Sequence, residues 1–190
     1  MIFPMPHSVC PWWIGYLLAS PLRKWLGQDP EKILRPYVHE GMTVLEPGPG
    51  MGFFTIPLAR LVGSSGRVIA VDLQPKMIAS LKRRAAKANV MDRIDARVTS
   101  PDTMGLADLD GKVDFTLAFA VVHELPDTGH FFAEVARASK QNARVLLAEP
   151  RGHVGDEAFA AELSASANAG FTVAEHPAIH RSLTGLLFKN

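Results

Sequence analysis

The stretch that decides the fold is Met42-Thr43-Val44-Leu45-Glu46-Pro47-Gly48-Pro49-Gly50-Met51-Gly52. Met42 to Glu46 reads as a buried strand, and the glycines that follow read as a tight loop. Backbone turning that sharply into a helix needs residues without a Cβ, and the missing side chains let a ligand lie against the main chain. The spacing is G-x-G-x-G. A dinucleotide fingerprint would place its third glycine at position 53, which is Phe53, so the loop is a poor pyrophosphate cradle. Glu46, at the strand end, would repel phosphates and suits a cationic or amine-bearing ligand.

Outward from that loop the pattern alternates. Helices are expected from Asp29-Pro30 to Val38, from Phe53 to Val62, from Pro75 to Asn89, from Phe131 to Ser139 and from Asp156 to Ala169. Strands are expected at Val68–Val71, Ile94–Val98, Val113–Val122, Val145–Ala148, Phe171–Ala174 and Leu183–Phe188. In the third helix Met77, Ile78, Leu81 and Ala85 form the apolar stripe, and Lys82, Arg83, Arg84 and Lys87 the wet face. The last two strands are joined by about eight residues, too few for a crossover helix, so they should run antiparallel. Alternation of this kind predicts an α/β fold, a parallel sheet covered on both faces with its ligand beyond the strand C-termini. Asp72 then falls twenty residues after Gly52, where a carboxylate can accept both hydroxyls of a ribose.

The loop Glu46 to Gly52, Asp72, Val113-Asp114-Phe115 with Val121-Val122-His123-Glu124-Leu125, and the final strand pair together resemble the class I S-adenosylmethionine-dependent methyltransferases. The resemblance covers residues 40–190 and is greatest toward the small-molecule branch with the ubiquinone/menaquinone-type and arsenite-type enzymes. It implies a Rossmann-like, seven-stranded, mostly parallel sheet with an antiparallel last strand and helices on both faces. It implies S-adenosylmethionine as cofactor and S-adenosylhomocysteine as product. Gly48, Gly50 and Gly52 would pack against the methionine portion, Glu46 near its amino group, and Phe119 and Ala120 beneath it. Asp72 would hold the ribose, with Leu73 beside the adenine and Ser100, Pro101 and Asp102 at the adenine edge. Relatives often carry an acid where this chain has Pro101; either Asp102 substitutes for it or the adenine contact comes from the backbone alone.

Methyl transfer from a sulfonium is an in-line displacement that demands alignment and exclusion of water. A base is needed only when the acceptor must lose a proton. His123, at the end of the fourth strand, is the candidate for base or acceptor contact, and structural roles compete for it. Glu124 and Glu149 lie near the same rim, with loop bonding or solvation the simpler role for Glu149. His153, His176 and His180 have no metal-ligand spacing, and no metal is expected.

The chain has 190 residues, 47% apolar and 21% charged, with formal net charge +1. That is one globular domain (residues 30–190) behind an N-terminal aromatic arm or lid (residues 1–29). The balance of charge offers no field for a polyanion, so nucleic acid is not an expected partner. The basic run at 82–87 reads as a solvated face. The single cysteine, Cys10, excludes an intrachain disulfide, a cysteine zinc cluster and the three-cysteine arsenic mechanism, and a cytoplasmic setting is the default. Residues 11–19 are apolar but too short to span a bilayer. Trp12, Trp13 and Tyr16 are read either as an aromatic wall around a small-molecule acceptor or as a docked edge or homodimer contact. The Asp/Asn-Pro-Pro-Tyr/Phe signature of amine-methylating DNA and glutamine enzymes is absent after strand four. The expectation is methyl transfer to a small, apolar or aromatic acceptor. RNA or protein methylation and a nonenzymatic cofactor-binding module are the alternatives.

Overall fold

A computed structural model describes residues 28–190. Its helices are α1 (Pro30–Leu34), α2 (Thr55–Leu61), α3 (Pro75–Lys87), α4 (Thr128–Ala138) and α5 (Asp156–Asn168). Its strands are β1 (Thr43–Pro47), β2 (Arg67–Asp72), β3 (Ile94–Val98), β4 (Val113–Phe119), β5 (Ser139–Pro150), β6 (Phe171–Glu175) and β7 (Ser182–Lys189). The strand order is β3-β2-β1-β4-β5-β7-β6. The pairs from β3 to β5 are parallel, and β7 runs antiparallel to both its neighbours.

Alternate strand residues feed two cores, as a pleated sheet buried on both faces requires. Val44, Val68, Phe115 and Leu117 pack with Leu58 of α2 and Ile78 and Leu81 of α3. Leu45, Ile69, Ala118 and Leu147 face the other way, against Phe131, Phe132 and Val135 of α4 and Phe159 of α5. The order reverses between β1 and β4, whose C-terminal ends open the crevice where an α/β sheet binds its ligand. The expected apolar stripe of α3 is buried. Among the described residues no helix is long and apolar enough to cross a membrane.

Several boundaries differ from the sequence expectation, those of β4 and α4 for a local reason. β4 stops at Phe119, three residues short of Val122, because Ala120 takes a left-handed φ of 55° and Val122–Glu124 close a 3₁₀ turn. β5 starts at Ser139 rather than Val145, directly after α4. α4 begins a turn early because the Asp127 carboxylate caps it, accepting from the His130 backbone N–H at 2.8 Å. α1 ends at Leu34 rather than Val38.

Candidate active site

A cleft of about 650 Å³ lies across the C-terminal ends of β1, β2 and β4. Glu46, Gly48, Gly50, Asp72, Leu73, Ser100, Pro101, Phe119, Ala120 and His123 all line it, from four separate segments of the chain. Gly52 does not. It is buried behind the loop, and a Cβ there would meet Leu81 Cδ1 at 2.5 Å. Asp102 is exposed and does not line the cleft either. A turn in which Thr103 N donates to Ser100 O at 3.4 Å carries it outward. Trp12, Trp13 and Tyr16 lie outside the described residues.

The loop is built around its glycines. Gly48 has φ +65°, and a Cβ there would come within 2.7 Å of Val121 Cγ2. The loop therefore seats against the turn that follows β4. Gly50 has φ +53° with open space beside its Cα, so main chain rather than side chain faces the cleft. From behind, Arg84 Nη1 donates to Met51 O at 2.9 Å. That residue of the presumed wet face of α3 is a brace for the loop, half-buried where exposure was expected.

Two acids from adjacent parallel strands share the cleft. Glu46 is 3% exposed and its Oε2 has no hydrogen-bond partner. Burial, with a smaller contribution from the charge of Asp72 and against the Thr55 hydroxyl, which favours the ionised form, pushes its carboxyl up to about 8. Asp72 accepts from Gln74 N at 2.8 Å through Oδ1 and from Gly50 N at 3.3 Å through Oδ2. Burial raises its pKa, and those two N–H groups oppose the rise. A dehydrated carboxyl with one unpartnered oxygen, beside a second acid, is electrostatically suited to a cation.

The far wall is aromatic and apolar. Phe54 lies 4.4 Å from Phe119 between ring centroids, and Phe53 5.1 Å from Phe54. Phe53, the residue that breaks the dinucleotide pattern, thus belongs to a wall of the cleft. Met77, Met104, Leu125 and Phe131 also line it, none of them expected from the sequence as a site residue.

Beyond Ala120 the turn is clamped from β5. Glu149 is fully buried, and its Oε1 accepts from Val122 N at 2.8 Å and Val121 N at 3.2 Å. Its Oε2 accepts from His123 Nδ1. This bond raises the His123 pKa above its ordinary 6.5, while partial burial of the ring pulls the other way. Among the described residues no group of three or more His, Cys, Asp or Glu is placed to hold a metal ion.

Residues 38–184 match the model of a methyltransferase-domain family. The chain belongs to the class I S-adenosylmethionine-dependent methyltransferase family. The fold of this methyltransferase domain is that of a crystal structure of a SAM-dependent methyltransferase from Aquifex aeolicus, with TM-score 0.83 and 25% identity over 95% of this chain and 98% of that one. An arsenite methyltransferase of Halobacterium salinarum is 30% identical over 109 residues, 57% of this chain and 27% of the relative. A ubiquinone biosynthesis O-methyltransferase of Paramagnetospirillum magneticum is 31% identical over 114 residues, 60% of this chain and 41% of the relative. The matched stretch thus spans less than half the length of either curated relative.

The family's cofactor is S-adenosylmethionine, and the residues present fit it. The orphaned Glu46 Oε2 matches a cationic group, Asp72 matches a ribose diol, and Gly50 leaves open the space a Cβ would fill.

Proposed function

We propose that this methyltransferase domain binds S-adenosylmethionine along Gly48–Gly50 and transfers its methyl group in line to a small, apolar or aromatic acceptor. The observation that carries the reading is the pairing of Glu46 and Asp72 over the glycine loop, facing an aromatic wall in one continuous cleft. When bound, the cofactor supplies a methyl group already activated by its sulfonium. Glu46 would accept from the ammonium end and Asp72 from the ribose hydroxyls, while Leu73, Ser100 and Pro101 flank the adenine. Phe119 and Ala120 would support the methionine portion, and Phe53, Phe54 and Phe119 exclude water from the reacting atoms. Gly52 contributes through packing on Leu81 rather than through contact.

On the acceptor side, His123 is on the cleft wall, and Trp12, Trp13 and Tyr16 would complete the enclosure as part of an arm spanning residues 1–29. A cytoplasmic setting and a homodimer belong to the same reading. The test is incubation with S-adenosylmethionine and a panel of small phenols, aryl amines, thiols and bulk RNA, with S-adenosylhomocysteine read by mass spectrometry. The proposal expects turnover with a small molecule. Turnover with RNA alone, or cofactor binding without turnover, would contradict it.

A further inference from the structure

Sequence marks His123 as a base or an acceptor contact, and Glu149 as a rim residue. The structure joins them. The Glu149 side chain reaches from the end of β5 under the turn after β4, takes both backbone N–H groups of Val121 and Val122 on one oxygen, and takes His123 Nδ1 on the other. With Nδ1 committed to a buried carboxylate, the imidazole is fixed in orientation and tautomer, and Nε2 is at its opposite edge. His123 itself lines the cleft, four residues beyond Phe119 and on the turn that seats against Gly48.

We infer that His123 is the proton acceptor of the transfer step, that Glu149 is its positioning residue, and that the acceptor substrate therefore presents a hydroxyl, of the phenol class, as its nucleophile. This rests on the reading of the cleft as a methyl-transfer site. In the step, the hydroxyl oxygen forms a bond to the methyl carbon as the carbon–sulfur bond breaks, and that electron pair remains on sulfur as a thioether. The hydroxyl proton passes to His123 Nε2 and leaves as the imidazolium returns it to water. An amine arriving as a free base, or a thiol already ionised, would not need this device. A phenol at neutral pH does.

The charged surroundings of the ring agree. Glu149 faces it from β5, Glu124 from its own turn, and Glu162 from α5, and all three favour the imidazolium. His153 lies edge-on, with ring centroids 6.0 Å apart. Glu162 is buried with Oε2 unpartnered, and burial pushes its carboxyl up to about 7.

The test compares an unactivated phenol with a nitrophenol that is already ionised in mildly alkaline buffer. His123→Gln should lower kcat/KM on the first by about 100-fold or more. On the second it should stay within about threefold, because the proton is already gone. A side chain that only shaped the pocket would cost both substrates alike, and that result, or no loss on either, would overturn the proposal. Independently of turnover, the His123 resonance, assigned by its absence in His123→Gln, should titrate above 6.5 in the wild type. In Glu149→Gln it should titrate lower, and the acid limb of kcat/KM should move down with it. An unmoved titration overturns the positioning role. If Glu149→Gln does not fold, the two-phenol comparison decides alone. Products confined to amines or thiols would refute this inference and leave methyl transfer standing. Failure of every acceptor would refute both.

Discussion

Substitution of Glu46 by Gln tests whether the cleft holds an acid in readiness for a cation. In the folded protein the Glu46 carboxyl titrates at about 8, against an ordinary 4.5. The folded state therefore holds this proton more tightly than the unfolded chain. The stability that comes with it is complete below 4.5 and is lost as pH rises through 8. Between those values the loss approaches about 1.4 kcal/mol per pH unit. Integrated from pH 6 to pH 8, this one group removes about 2 kcal/mol. Gln has the same size and no proton to lose, so Glu46→Gln should lack that component. Asp72 and Glu162, whose pKa values are also raised, act in the same direction in both proteins and largely cancel in the difference. Urea unfolding of the two proteins at pH 6 and pH 8 supplies the four free energies. A difference of about 2 kcal/mol in their pH dependence is expected. Parallel pH dependences would refute the account of a dehydrated, protonated Glu46. Saturating S-adenosylmethionine should shrink the difference, because the ammonium stabilises the ionised carboxylate.

Gly48→Ala should destabilise the fold by about 1–3 kcal/mol, since the added Cβ meets Val121 at a left-handed φ, and thermal melts would register it. Ala120 takes φ 55° with its N–H donating to Ala148 O at 2.7 Å. Ala120→Gly should therefore melt no lower than wild type, whereas the branched Ala120→Val should lose about 1–2 kcal/mol. All three tryptophans, Trp12, Trp13 and Trp25, precede residue 30. If the arm encloses the site, adding S-adenosylmethionine with a phenol should change intrinsic tryptophan fluorescence. An unchanged spectrum at saturation would assign the arm another role.

The parts of the molecule legible in sequence were those specified by local pattern. Buried runs such as Val44-Leu45 and Val68-Ile69-Ala70-Val71 can only be central strands, and the glycine spacing with Asp72 twenty residues on locates the cleft. What was not legible depended on partners distant in sequence. The run Phe119 to Val122 reads as strand because nothing local reveals that Ala120 turns left-handed. Glu149 reads as a rim acid because its donors, Val121 and Val122, lie on another segment. Arg84 reads as solvated because the carbonyl it braces belongs to Met51, 33 residues earlier. Asp102 reads as a cofactor contact until the Ser100–Thr103 turn carries it to the surface.

Isothermal titration of the protein with S-adenosylmethionine, in parallel with Asp72→Asn, bears on the central claim most directly. The account predicts one site per chain, weakened in the variant because the charged acceptor of both ribose hydroxyls becomes a neutral amide with a single acceptor oxygen; in Asp72→Ala, where both hydrogen bonds are lost, the weakening should reach about 2–4 kcal/mol. Absence of binding, or equal affinity in the two proteins, would contradict it.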